Sequence, residues 1–359
     1  MKTGKLDSTI NKTWKVAYDS GELAAATSSI TINGLDGNSD EEYNLIYRLV
    51  NGYAGGLEVT IRPNNDSGSS YGNQLLYGVN TNNYATRQTN TSINESIDGA
   101  SQITFGTFKI QAKSGQQRTF IGKCARGVAT TTVLVVMLRG DTWTNTADNL
   151  TSLVIAANQA NGLGIGSRII LLKKVKLTTG LKTGNLNIQG SIKGTWERIY
   201  QNTLGAPATS LTISGLTGNS DALYRIRGRI VSGASSNDLK LTFNSDTGSN
   251  YGRQKIAGAN TTASAERIAL TAIYLNQASG LASGDLLRFE KILYAKSGYV
   301  RTAIEESSEA IATTNVNAIT LTGLSWNNTT DEIIQMVLTA TQTNGLGIGT
   351  EIIIERLNL

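Results

Sequence analysis

The residues best equipped for chemistry lie in two near-copies of one loop. NNDSGSSYG spans 64–72 and NSDTGSNYG spans 244–252. Asp66 and Asp246, with the Asn and Ser side chains around them, offer oxygen ligands of the kind a hard cation such as calcium accepts. The same residues suit a tight turn, with Asx side chains bonding the backbone and Gly taking positive φ. A calcium site needs more charged oxygens than this loop carries, so the expectation is a turn and no metal. Tyr71 and Tyr251 close the loops and could stack on a ligand or pack over a core edge. Trp143 in DTWTNTADN (141–149) and Trp326 in LSWNNTTDE (324–332) stand beside Asn, Thr and Asp. An exposed indole in such company can lie against the C–H face of a sugar, whereas an indole at a strand end plugs a core. Asp66, Tyr71, Trp143, Asp246, Tyr251 and Trp326 are thus the candidate surface or ligand contacts.

Other segments offer less. Cys124 in IGKCARG has Lys123 and Arg126 nearby, which could lower its pKa. The second half of the chain has Glu305 to Ser307 in its place, so the thiol is expected to be incidental. NGLGIGS (161–167) and NGLGIGT (344–350) superficially resemble a phosphate loop, but an Ile-rich strand follows rather than a helix, and no Lys stands in the P-loop position. Chain bending before a last strand is the expectation. Asp36 with Asp40, and Glu305 with Glu306, could be acid–base pairs; solvated surface is expected for both.

Composition narrows the chemistry further. The 359 residues contain no His and 1 Cys. Histidine-based triads, histidine-ligated metals, intramolecular disulfides and CxxC sites therefore cannot be built. No cofactor is expected, and carboxylate-only chemistry, such as a glycosidase pair, survives these exclusions. The net charge of +5 comes from scattered residues, with one cluster at Lys173, Lys174 and Lys176. No basic stripe with interleaved aromatics marks a nucleic-acid surface. The longest apolar run, 133–138, falls far short of the ~20 residues a membrane span needs. MKTGKLDSTINKTW lacks an apolar signal core, so synthesis in a cytoplasm is expected.

The elements that must position these residues come in two sets. NGLGIG, AKSG (112–115 and 295–298), the Trp–Asp pairs, GLxGNSD (34–40 and 215–221) and the Asp loops all recur. The spacing is about 180 residues throughout, far beyond a solenoid unit. The chain is therefore read as two domains, 1–175 and 196–359, joined by 176–195. SSITING (28–34) and TSLTISG (209–215) alternate with period two and stop at Gly, as half-buried strands do. YNLIYRLV (43–50), LEVTIRP (57–63), LKLTF (239–243), SRIILLKK (167–174) and TEIIIERL (350–357) are strand-like too. The best helical stretch, DEIIQMVLTA (331–340), has a strand-like counterpart at 148–157. The predicted class is all-β: two tandem antiparallel β-sandwiches, jelly-roll-like.

FNSDTGSNYG (243–252), LSWNNTTDEI (324–333) and GLGIGTEIIIERL (345–357) resemble a β-sandwich module of tailed-bacteriophage virion proteins. The first copy departs from it, with Pro63 and Ser70 at the Phe and Asn positions. LKTGNLNIQGSIKG (181–194) is similar to segments that precede domains in trimeric phage fibres. The resemblance implies a non-enzymatic virion component in the tail, a fibre or the capsid surface. It also implies a symmetric oligomer, with a trimer favoured, and other virion proteins as partners. A second expectation is a receptor- or carbohydrate-binding module that recognises a host surface glycan.

Overall fold

The computed structural model describes residues 13–175, 194–259, 261–276, 280–310 and 316–359. Strands dominate, and period-two patterning explains several of them directly. In SITIN, Ile30 and Ile32 turn inward and their neighbours outward. LEVTIRP likewise buries Leu57, Val59 and Ile61. The first repeat contains β1 (Thr13–Asp19), β2 (Ser29–Asn33), β3 (Glu42–Val50), β4 (Leu57–Pro63), β5 (Tyr71–Val79) and β6 (Asn82–Asn90). It continues with β7 (Ile93–Ile97), β8 (Ile103–Gln111), β9 (Arg118–Val128), β10 (Val135–Trp143), β11 (Ser152–Ala157) and β12 (Arg168–Val175). The second repeats the series as β13 (Trp196–Thr203), β14 (Ser210–Ser214), β15 (Leu223–Val231), β16 (Leu239–Phe243), β17 (Tyr251–Ala259) and β18 (Thr262–Leu270). Its remainder is β19 (Ile273–Tyr274), β20 (Leu286–Tyr294), β21 (Arg301–Ala310), β22 (Val316–Trp326), β23 (Gln335–Ala340) and β24 (Glu351–Leu357).

Each repeat builds an eight-stranded and a four-stranded antiparallel sheet. In the first the orders are β1-β12-β3-β8-β9-β10-β5-β6 and β2-β11-β4-β7, and the second reproduces both. Within this, β1-β12-β3-β8 over β2-β11-β4-β7 is the strand order of a jelly roll made of two Greek keys. Two hairpins are added to it. β5–β6 is inserted between β4 and β7, and β9–β10 between β8 and β11; both extend the larger sheet. The predicted all-β tandem sandwich is the fold found. The helical stretch at 331–340 is strand β23 from Gln335 onward. The connecting segment lies outside the described residues except for 194 and 195, which already pair with Asn358. Residues 181–193 of the fibre-like stretch and Lys176 lie outside them likewise.

Each sandwich has its own core between its two sheets, closed by Tyr43, Phe108 and Leu153 in the first and Tyr224, Phe243 and Leu338 in the second. A third apolar cluster joins the repeats. Ile46, Phe105, Ala125, Val133, Val136 and Ile170 meet Leu223, Ile256, Ile292, Tyr294, Ile304 and Leu321. The outer faces of the two large sheets are therefore packed on one another, with like strands meeting: β5 with β17, β6 with β18, β9 with β21 and β10 with β22. At Gly78 an added Cβ would lie 2.3 Å from Ile256 Cγ2, so the sheets approach as closely as they do only because that side chain is missing. Polar contacts rim the seam. Lys123 pairs with Glu306 at 2.8 Å and Lys296 with Glu22 at 3.0 Å. Gln254 exchanges two hydrogen bonds with the backbone of Asn80.

Candidate functional site

The six candidate residues do come together, three in each repeat, with the rings buried and Asp66 and Asp246 partly exposed over them. Strand register makes one row of Arg118, Trp143 and Tyr71 across β9, β10 and β5. The indole of Trp143 is wholly buried and donates to Asp66 Oδ2 at 2.7 Å. The Gly68 amide donates to Asp66 Oδ1 at 2.8 Å, and the Tyr71 hydroxyl donates to the Asp66 carbonyl at 2.9 Å. The Arg118 guanidinium lies over the indole, 5.0 Å from the ring centre, and donates to the carbonyls of Ala112 and Asp148. The second repeat builds the same corner from Arg301, Trp326, Tyr251 and Asp246. The Trp326 indole donates to Asp246 Oδ2 at 2.7 Å. The Tyr251 hydroxyl donates to the Asp246 carbonyl at 3.2 Å and accepts from the Phe243 amide at 2.9 Å.

Of the two readings open for Tyr71, Trp143, Tyr251 and Trp326, ligand stacking and core packing, the structure shows core packing. A loop carboxylate supplies each indole N–H with its acceptor, which removes the penalty for burying the whole ring. Asp66 and Asp246 act as anchors for these rings. The Asp66 carboxyl is held below the usual range by the indole first, then by the Gly68 amide. For Asp246 burial pulls upward, but the hydrogen bonds from Trp326, Asn250 and Gly248 outweigh it and the carboxyl is again depressed. Among the described residues no group of three or more Cys, Asp or Glu side chains is placed to hold a metal ion. Arg118 and Arg301 complete the corners and were not foreseen, although RTFI (118–121) and RTAI (301–304) recur at the same spacing as the Trp pair.

The glycine-rich segments bend the chain as predicted. Leu163 bridges Thr27 and Asn51, and Leu346 bridges Ala208 and Ser232. A Cβ on Gly52 would sit 2.4 Å from the Asn161 carbonyl oxygen. Two backbones cross there with no room for a phosphate, and strand β12 follows rather than a helix.

Cys124 is free and buried, and burial, with the Glu95 charge second, pushes its thiol well up. It belongs to a polar cluster inside the first sandwich that the patterning concealed. Arg139 pairs with Asp141 through two hydrogen bonds of 2.7 and 2.6 Å and reaches Glu95 Oε1 at 2.9 Å. The Tyr47 hydroxyl donates to the same Glu95 oxygen at 2.8 Å. The second sandwich has a different internal pair: Lys291 Nζ lies 2.9 Å from Glu305 Oε2. Glu305 and Glu306 point to opposite faces of β21, so they are no acid–base pair. The solvated setting expected for Glu305 is corrected, since only 1% of it is exposed. Asp36 caps a single helical turn through the Ser39 amide, and Asp40 accepts from the Tyr43 hydroxyl.

The open concave surface lies beside the inter-repeat seam. A cleft of about 370 Å³ runs between Leu76 and Leu138 on one wall and Ile256, Ile319 and Leu321 on the other. Glu306 and Ser307 connect it to a second, polar hollow of about 520 Å³ bordered by Arg227, Arg229, Arg288 and Glu351.

No protein-family model matches the chain, and no curated protein matches it. Solved structures give faint likenesses. Domains LG4-5 of the mouse laminin alpha1 chain are 7% identical, covering 94% of this chain and 89% of that one, with a TM-score of 0.17. N-glycanase F (PNGase F) is 9% identical, covering 97% and 96%, with a TM-score of 0.19. T=1 particles derived from infectious bursal virus give 10% identity over 98% and 76%, with a TM-score of 0.11. Likenesses this faint bear on neither fold nor function. No helix among the described residues is long and apolar enough to cross a membrane.

Proposed function

We infer that the chain is a non-enzymatic structural component of a tailed-bacteriophage virion, in the tail, a fibre or the capsid surface, and that it assembles as a symmetric oligomer. The observation that carries this is the duplicated jelly roll, whose most chemically capable side chains are used up as internal anchors in both copies. Jelly rolls with broad sheets serve well as rigid shell and surface modules, although a fold by itself does not assign a role. The resemblance of FNSDTGSNYG, LSWNNTTDEI and the closing strand to virion modules supplies the rest.

The oligomer is supported by apolar side chains left on the large sheets. Leu76, Leu138 and Ile319 line one cleft and are 45%, 40% and 60% exposed, and Ile121, 60% exposed, adjoins Leu138 diagonally. Such a cluster is unusual on a monomer and suits burial against further copies. The glycan-binding alternative has lost its proposed contacts to the core.

Mass spectrometry of density-purified phage particles tests the assignment: peptides of this chain are expected at a stoichiometry set by the particle's symmetry. Their absence from particles, with the chain abundant in the soluble lysate, overturns it. Light scattering of the purified chain tests the oligomer. A mass near three times 38.2 kDa is expected, and a monomer at all concentrations removes that part.

A further inference from the structure

Among the described residues, Lys291 and Glu305 form the most anomalous buried pair. They face each other directly across the β20–β21 ladder and point into the second sandwich. Lys291 is 0% and Glu305 1% exposed. Nζ and Oε2 are 2.9 Å apart, yet neither atom has an aligned hydrogen-bond partner. The Phe289 ring lies 6.0 Å from Nζ. The fold does not require such a pair, because the same two ladder positions in the first sandwich are Phe108 and Gly122. A buried ion pair also stabilises little relative to apolar residues of similar size, because both charges must leave water. The first sandwich buries charges beside the same position, at Arg139 opposite Gly122, but there each guanidinium nitrogen has a hydrogen-bond acceptor, whereas Lys291 Nζ and Glu305 Oε2 have no aligned partner.

We propose that Lys291 and Glu305 are the two ends of an intramolecular amide cross-link between β20 and β21. Contact at 2.9 Å inside a rigid ladder gives the two groups a very high effective concentration. Exclusion of water withholds the water that would hydrolyse the product. The ammonium passes one proton to the carboxylate. Nζ then adds to Cδ, the Cδ–O bond breaks, and the acid's hydroxyl leaves with one amine proton as water. Nothing is oxidised or reduced, and no co-reactant is needed.

The test is the intact mass of the full chain under denaturing conditions, followed by trypsin mapping. The expected mass is lower than the sequence mass by one water. Trypsin should fail to cut after Lys291, because an acylated lysine is not a substrate. A branched fragment should join the peptides that carry Lys291 and Glu305. Lys291→Met should restore the full sequence mass, a readout that holds whether or not the variant folds. A wild-type chain of full sequence mass that is cut after Lys291 overturns the proposal and leaves a plain buried ion pair. A missing water that maps to Asp36–Gly37 or Asp98–Gly99 overturns it equally.

Discussion

Asp66 and Asp246 each hold a buried indole, and their importance follows from what removal would strand. In Asp66→Ala or Asp246→Ala the Trp143 or Trp326 N–H stays inside the sandwich without an acceptor. Each variant should lose about 1–3 kcal/mol of unfolding free energy, the cost of a buried unpaired donor. Urea unfolding followed by Trp fluorescence measures this, and a change within a few tenths would show that the corner is not held this way. Asn at either position keeps an oxygen acceptor and should lose less. Acid supplies a second check. Both carboxyls titrate lower when folded. Their contribution is therefore fully present above the unfolded carboxylate value of about 3.9 and is lost as pH falls through the depressed folded values. Wild-type stability should drop more steeply below about pH 4 than that of the Asp66→Asn/Asp246→Asn double variant.

At the scale of elements, the two inserted hairpins and the crossing at Gly52 distinguish each repeat from a minimal jelly roll. β5–β6 and β9–β10 extend one sheet only, and that extension supplies much of the face on which the repeats meet. β6 lies at the sheet's free edge with most of its residues exposed, so NNYATRQTN shows no apolar alternation and reads as a loop. The Gly52 crossing fixes where the GLGIG segment passes the end of β3. Gly52→Ala places a methyl carbon 2.4 Å from the Asn161 oxygen, and no flexible side chain is there to yield. The variant should lose about 1–3 kcal/mol, the usual cost of forcing volume into a packed site. Denaturant midpoints measure it, and a neutral result would mean that the 161–167 segment can move aside.

At the scale of the whole molecule, the seam makes two domains into one body and explains how their surfaces differ. Ile46, Phe105 and Leu172 on the first large sheet are covered by the second repeat. The register-equivalent positions on the second sheet are Arg227, Arg288 and Glu355. The face that a neighbour covers is apolar; the other is charged, with Arg288 exposed and the buried Glu355 paired with Arg225 and Arg227. Arg48 marks the covered side: its guanidinium is buried between Tyr294 and Tyr299, 5.0 and 4.2 Å from the ring centres. Because the seam is apolar and continuous, calorimetry should show the repeats unfolding in one transition. Ile304→Asp puts an unpaired charge into the seam and should split that transition in two. Two transitions in the wild type would mean that the seam couples the repeats only weakly.

The sequence by itself determined the duplication, the β class and most strands of the jelly-roll kernel. Those properties are local: a period of two, a stop at Gly, and motifs recurring at a fixed spacing. It also showed that the Asp loop, the Tyr and the Trp recur together. Only the tertiary structure decided that they close on one another. An indole's surroundings are set by strand register, which brings Trp143 beside Tyr71 from residues far apart in the chain. The same holds for Glu305, whose sequence neighbourhood is polar while its side chain lies in a core. The seam, finally, is a contact between two outer faces. A sheet covered on both sides and a sheet covered on one side differ in their partners, and partners are a property of the fold.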